Sequence, residues 1–264
     1  MLRSMYSGIS GLKNFQTKLD VIGNNIANVN TYGFKKGRVT FKDAISQTTA
    51  GASTSTDARG GTNAVQVGLG SSISSIDTVD TAGSLQNTSR TLDLGIQGDG
   101  YFIVKEGMNN YYTRAGNFYL DEEGVLVTGE GYKVQDINGS DIQLNIAALQ
   151  SFSIAQNGDI NIVTTGGANQ VAATIALAKF SNPGGLEKAG NNLFQESVNS
   201  GAPQIGASGT DGRGTLSSGR LEMSNVDLSE EFTDMIVAQR GFQANTRIIT
   251  TSDEILQELV NLKR

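Results

Sequence analysis

Apolar and polar positions follow a helical period at the two ends of the chain and a period of two in its middle. Near the N-terminus Met5, Leu12, Leu19 and Ile26 recur every seven residues, and Phe15, Ile22 and Val29 form a second row three positions on. An a/d-like seam of this kind predicts a helix that packs against other helices. Gly8 and Gly11 weaken its start, and the Asn-rich stretch after Ile22 marks its end. At the C-terminus Leu228, Met235, Phe242, Ile249 and Leu256 repeat the same spacing, and Ile248, Ile255 and Leu262 widen the stripe. Asn225 or Ser229 is placed to cap this second helix, Glu230 and Glu231 suit its first turn, and Lys263 and Arg264 suit the negative end of its dipole. Ordering helices this long costs more conformational entropy than one seam returns, so packing within or between molecules must supply the rest. An ordinary two-helix hairpin closing a monomer fits the pattern too.

Between the ends the signal changes. Residues 46–75 are rich in Gly, Ser, Thr and Ala and read as an extended linker or exposed loop. From Leu92 the period becomes two: Leu92, Leu94 and Ile96 alternate with polar residues, and Phe102 and Val104 continue after Gly98-Asp99-Gly100. Phe118 and Leu120 face Val125 and Val127 across Asp121-Glu122-Glu123-Gly124, a hairpin signature. Further alternating runs occupy 152–154, 160–162 and 171–180, and residues 200–219 return to Gly and Ser. The fold class is therefore α+β. Residues 1–30 and 226–264 are expected to pair as a coiled coil. Extended connectors are expected over 31–75 and 205–225, around a central antiparallel β domain over 76–204.

Composition narrows the chemistry. The 264 residues include 33 Gly and only 2 Pro, so the loops are flexible, and the net charge of −6 is spread rather than blocked. Without a basic stretch, nucleic acid is not an expected partner. The absence of Cys removes disulfides and thiolate metal sites, and the absence of His removes the commonest general base and metal ligand. The start carries no secretory pattern, because polar Gln16, Thr17 and Lys18 interrupt its apolar residues. No apolar run is long enough to span a bilayer, and neither terminal helix has the Lys/Arg-rich face of a membrane-surface helix.

Several constellations look chemical and fall short. Asp136, Asn138, Ser140 and Asp141 echo a calcium loop, but Asn145 stands where its bidentate Glu belongs. Glu122 and Glu123 are adjacent carboxylates in a predicted turn, whereas a glycosidase needs its pair on facing elements. Gly98-Asp99-Gly100 and Gly129-Glu130-Gly131 lack the Lys-Ser/Thr and helix start of a phosphate loop. Lys35, Lys36 and Arg38 read as a solvated face or as salt-bridge donors between subunits, rather than as a nucleic-acid site. No catalytic residue, metal site or cofactor is expected.

At residues 20–35 the stretch DVIGNNIANVNTYGFK resembles the N-terminal signature of flagellar rod and hook proteins, on Asn24, Asn25, Ala27, Asn28, Thr31, Gly33, Phe34 and Lys35. The C-terminal stretch from Ser224 resembles the matching helix of that family, including Met235, Gln239, Arg240 and Asn245, and TLDLGIQGDGYFIV with YYTRAGNFYLDEEGVLVTGEGYKVQ resembles its inner β domain. The resemblance implies a structural subunit that polymerises into a helical tube and catalyses nothing. It also implies export through the flagellar type III apparatus without a cleaved signal, and contacts with adjacent rod, hook, hook-cap and junction proteins. The ending of the chain resembles hook proteins, which makes a torque-transmitting hook subunit the leading expectation. Its length and the 46–63 segment resemble the distal rod protein, the alternative. A peptidoglycan-lytic enzyme is the remote one.

Overall fold

The computed structural model describes residues 2–55, 59–145, 149–165 and 167–262, so Lys263 and Arg264 lie outside the described residues. The chain divides into two compact units. A helical unit takes residues 2–27, 37–78 and 227–262, and a β unit takes 28–36 and 79–226.

The helical unit opens with α1 (Leu2–Ala27) and closes with α2 (Leu228–Asn261). Between them in sequence lie β1 (Gly37–Asp43), β2 (Ser46–Ala50), β3 (Val65–Gly68) and β4 (Ser71–Thr78). The α2 cap is Asp227, whose Oδ1 accepts from the backbone N of Ser229 at 2.8 Å. Asp227 with Glu230 three residues on is a capping-box spacing, so neither Asn225 nor Ser229 serves. α1 runs through Gly8 and Gly11 without interruption and continues past Ile22 to Ala27. Both glycines face α2: a Cβ on Gly8 would stand 3.3 Å from Ile249, and one on Gly11 only 2.7 Å from Asn245. Gly241 answers from α2, where a Cβ would meet the Phe15 ring at 2.6 Å. Close helix approach outweighs their weak helix propensity.

In place of the extended connector expected over 31–75, the chain forms two antiparallel ribbons. β1 pairs with β4 from Gly37↔Thr78 to Asp43↔Ser71, and β2 pairs with β3 from Ser46↔Gly68 to Ala50↔Val65. Thr, Val and Ile are enough to favour extended backbone, and ladder hydrogen bonds hold strands that bury little apolar surface. Both β2 and β3 are exposed along their length.

The β unit contains β5 (Leu85–Asn87), β6 (Leu94–Gln97), β7 (Tyr101–Glu106), β8 (Asn109–Thr113), β9 (Phe118–Leu120), β10 (Leu126–Thr128), β11 (Lys133–Val134), β12 (Leu149–Ile154), β13 (Asp159–Thr164), β14 (Asn169–Thr174), β15 (Leu177–Lys179), β16 (Glu187–Gly190), β17 (Leu193–Gln195), β18 (Gln204–Gly206), β19 (Thr215–Ser218) and β20 (Arg220–Glu222). The largest sheet runs β16-β17-β8-β7-β11-β10-β9, with β15 on β7 and β18 on β15. β12-β13-β14 form a second sheet, and β19 with β6 and β20 with β5 form ribbons. Residues 205–225 thus carry strands of the β unit where an extended connector was expected. The expected hairpin over 118–127 is β9–β10, but in another register: Leu120 stands opposite Leu126 and Phe118 opposite Thr128, in place of Val125 and Val127.

Alternation along β7 explains the core. Phe102 and Val104 point into one cluster with Phe118, Leu126, Ile175 and Leu177, while Tyr101 and Ile103 join Tyr112, Ala178, Phe180 and Phe194 in another. Edge-on ring pairs mark each, Phe102–Phe118 at 5.0 Å and Tyr112–Phe180 at 4.8 Å. The turn before β9 packs tightly: the Leu94 N–H donates to the Gly116 carbonyl at 3.0 Å, and a Cβ on Gly116 would overlap the Leu94 carbonyl oxygen. Gly116→Ala is therefore expected to destabilise the β unit by about 3 kcal/mol. Gly60→Ala, with open space around it, should leave stability unchanged. Urea unfolding followed by tyrosine fluorescence separates the two.

Candidate functional site

The segment after α1 belongs to the β unit and is pinned there residue by residue. Thr31 closes a turn on Asn28, its hydroxyl donating to Asn28 Oδ1 at 3.1 Å. Gly33 has a φ of +67°, and a Cβ there would sit 2.6 Å from the Arg114–Ala115 backbone. Only glycine meets both demands. Its N–H donates to the Glu222 carbonyl at 2.8 Å, and the Asn225 N–H donates to the Phe34 carbonyl at 3.4 Å. Phe34 lies beneath the Lys188 ammonium, 5.0 Å from the ring centroid, and Lys188 Nζ also donates to the Lys35 carbonyl at 3.2 Å. Burial pushes the Lys188 ammonium below its ordinary pKa.

Lys35 turns inward and is 1% exposed. Its Nζ donates to Glu222 Oε1 at 2.7 Å and to the Thr81 carbonyl at 2.8 Å, with Asp80 Oδ1 at 3.7 Å. Glu222, fully buried at its side chain, also accepts from the Gly83 N–H at 3.0 Å and from Arg114 Nη1 at 3.2 Å. The Arg114 guanidinium lies 5.2 Å from the Tyr101 ring centroid. Tyr101 is held far above its ordinary pKa, by burial first and then by the negative charge of Asp80. Burial likewise pushes the Tyr112 hydroxyl up to about 12. The basic residue read as solvated, or as a salt-bridge donor between subunits, is thus the centre of an ion cluster buried within the chain. Its partners Asp80, Arg114 and Glu222 carry no local motif. The one trace of Glu222 in the sequence is a charge set between Leu221 and Met223.

Other signature residues stay in the helical unit. Asn25, 2% exposed, clamps Gly37 from both sides: its Nδ2 donates to the Gly37 carbonyl and its Oδ1 accepts from the Gly37 N–H, each at 2.9 Å. The same Nδ2 donates to Glu231 Oε2 at 3.1 Å. Asn24 and Ala27 are exposed on α1. Asn225 makes the comparable clamp within the β unit, accepting from the Lys36 N–H at 2.7 Å and donating to the Val79 carbonyl at 2.8 Å.

α1 and α2 run antiparallel. Ser4 meets Ser252, Lys18 pairs with Asp234 at 3.3 Å, and Asn25 meets Glu231. Contact joins small and polar side chains to a few large ones, Phe15 against Gly241 and Ile249 against Gly8, with Glu231, Ala238 and Ser252 the buried residues of α2. Met5, Leu12, Leu19 and Ile26 are half-buried, as are Met235, Ile249 and Leu256. Leu228 at 40% and Phe242 at 37% are exposed. So are Phe232, Ile236, Val237, Ile248, Ile255 and Leu259, with Val237, Ile248, Ile255 and Leu259 along one flank of the helix. The pair thus turns large apolar residues outward.

Asp136 and Asn138 satisfy each other, Asn138 Nδ2 donating to Asp136 Oδ2 at 2.9 Å, with Gly139 at a φ of +73°. That is an Asn-Gly turn, and among the described residues no His, Cys, Asp or Glu cluster is arranged to hold a metal. Glu122 and Glu123 are exposed on the β9–β10 turn. No helix of the described residues is long and apolar enough to cross a membrane.

Three family models match the chain. Residues 5–35 match one described as flagella basal body rod protein, 95–162 one described as flagellar hook protein FlgE/F/G D1 domain, and 217–262 one described as flagellar basal body rod FlgEFG protein C-terminal. Among curated relatives, the flagellar basal-body rod protein FlgG of Bacillus subtilis is 62% identical over 265 residues, spanning 100% of both chains. The flagellar basal-body rod protein FlgG of Caulobacter vibrioides is 38% identical over 266 residues, spanning 99% of this chain and 100% of its own. The flagellar hook protein FlgE of Borreliella burgdorferi is 34% identical over 441 aligned positions, spanning 100% of both.

The buried cluster gives a direct test of how the segment 28–36 is held. Glu222→Ala leaves Lys35 and Arg114 buried without their partner and should cost the β unit about 3–5 kcal/mol. Glu122→Ala on the exposed turn should change stability by less than about 0.5 kcal/mol. Tyrosine-detected urea unfolding reads both.

Proposed function

Because the chain belongs to the family of flagellar rod and hook proteins, and is thereby a structural component of the flagellar axis, we propose that it is a rod subunit, and within the rod a distal one. This replaces the hook subunit that the C-terminal sequence suggested. The observation that carries the reading is length-matched identity: rod relatives align over 265 and 266 residues, while the hook relative needs 441 positions to span both chains. Hook relatives of that kind hold long segments that this chain lacks.

The subunit works by self-association. The outward apolar flank of α2 and the exposed Tyr6 and Ile9 of α1 are surfaces for like helices of neighbouring copies. Small contacts within the pair leave the large side chains to do the intermolecular work, and Phe242, exposed in the single chain, is covered in the polymer. The partners are further copies, the adjoining axial proteins and the flagellar export apparatus. A stiff shaft transmits torque when its subunits are prevented from sliding. The exposed β2–β3 ribbon, poor in apolar surface, stiffens the shaft by wedging between neighbours and hydrogen-bonding to them.

Phe242→Asp places a charge where assembly removes water, a cost of several kcal/mol (roughly 2–7 for an unpaired polar group alone). Tubes should be lost while the β unit keeps its native unfolding midpoint. Glu258→Gln on the exposed helix surface should assemble normally. Normal tubes from the Phe242 variant, seen by electron microscopy, would remove Phe242 from the interface. Deletion of residues 48–61 separates rod from hook. On the rod reading, straight wild-type tubes become curved when the ribbon is shortened. Wild-type tubes that are already curved, with curvature unaltered by the deletion, would return the chain to the hook.

A further inference from the structure

The buried cluster holds more than fastening requires. Lys35 Nζ is bonded to Glu222 Oε1 at 2.7 Å and stands 3.7 Å from Asp80 Oδ1. Asp80 Oδ1 itself is buried and accepts no hydrogen bond. A primary amine is thus set beside one carboxyl group and hydrogen-bonded to a second carboxylate, with Lys35 and Glu222 almost wholly out of water. These are the groups that an amide bond between side chains requires: a nucleophile, an electrophilic carbon and a carrier for protons.

We propose that Lys35 and Asp80 join through an intramolecular isopeptide bond, with Glu222 as the proton carrier. Glu222 takes one proton from the Lys35 ammonium and passes it to the Asp80 carboxylate, giving a neutral amine and a neutral acid. The Nζ lone pair then attacks Asp80 Cγ. A second proton leaves Nζ through Glu222 to the departing hydroxyl, the Cγ–O bond breaks, and one water is released. The ammonium and carboxylate are consumed together, so charge balances, and nothing is oxidised or reduced. Arg114, on the far oxygen of Glu222, holds that carboxylate in position.

The bond would tie segment 28–36 covalently to the β unit in a chain that has no Cys for a disulfide. It does not rest on the rod reading, because its readout is mass and not tube shape. The folded full-length chain should weigh about 18 Da less than its sequence requires, and its protease digest should contain a branched peptide joining residue 35 to residue 80. Lys35→Arg and Asp80→Ala chains should keep their full mass. Asp80→Asn should lose ammonia in place of water, about 17 Da, because a carboxamide carbon accepts the same attack. In a time course of refolding from denaturant, Glu222→Gln should slow the mass loss by about a hundredfold. A folded wild-type chain at full mass with an unmodified Lys35 peptide overturns the proposal. So does the same loss of mass from the Lys35→Arg chain.

Discussion

A carboxylate withdrawn from water has to be met by opposite charge or by hydrogen-bond donors, since an unmatched buried ion costs several kcal/mol. Glu222 meets that requirement with Lys35, Arg114 and the Gly83 N–H, three groups from three separate stretches of chain. Its main-chain carbonyl adds the Gly33 N–H. Phe34 under Lys188, the left-handed turn at Gly33 and the pairing of β20 with β5 all lie around that carboxylate. Polar matching, and not apolar burial, therefore sets the path of residues 28–36.

In the helical unit a different economy holds. Gly8, Gly11 and Gly241 let α1 and α2 approach closely, and Ala238 and Ser252 fill the contact. Such a seam buries little apolar area per residue, so it orients the helices without using up their large side chains. Leu228, Phe232, Ile236, Phe242 and Ile255 remain at the surface of the single chain. The heptad spacing of Met235, Phe242, Ile249 and Leu256 thus records a helix with more apolar surface than one partner covers.

Periodicity made the two helices, the strands from Leu92 onward and the β9–β10 hairpin legible, because each of those signals is local. The signature at residues 20–35 was legible as a resemblance. What it does physically was not, since Lys35 and Glu222 lie far apart in sequence and no spacing rule links them. The ribbons in residues 37–78 were hidden by a Gly- and Ser-rich composition that outweighed the strand preference of their Thr, Val and Ile. Gly8 and Gly11 read as helix weakeners because propensity is blind to a neighbouring helix. The Asp227 cap had a readable signal in its spacing to Glu230, and the polar residues on either side obscured it.

The distance in sequence between Lys35 and Glu222 also sets an order of events. Loop-closure entropy has to be overcome before so remote a contact returns anything, and contacts of this kind form late in folding. A chain that emerges N-terminus first presents Lys35 early and Glu222 187 residues later. Until then residues 28–36 have no carboxylate to close on, and the β unit lacks β20 along β5. The contact between Lys35 and Glu222 is therefore a latch thrown late, fixing residues 28–36 only once β20 has joined β5.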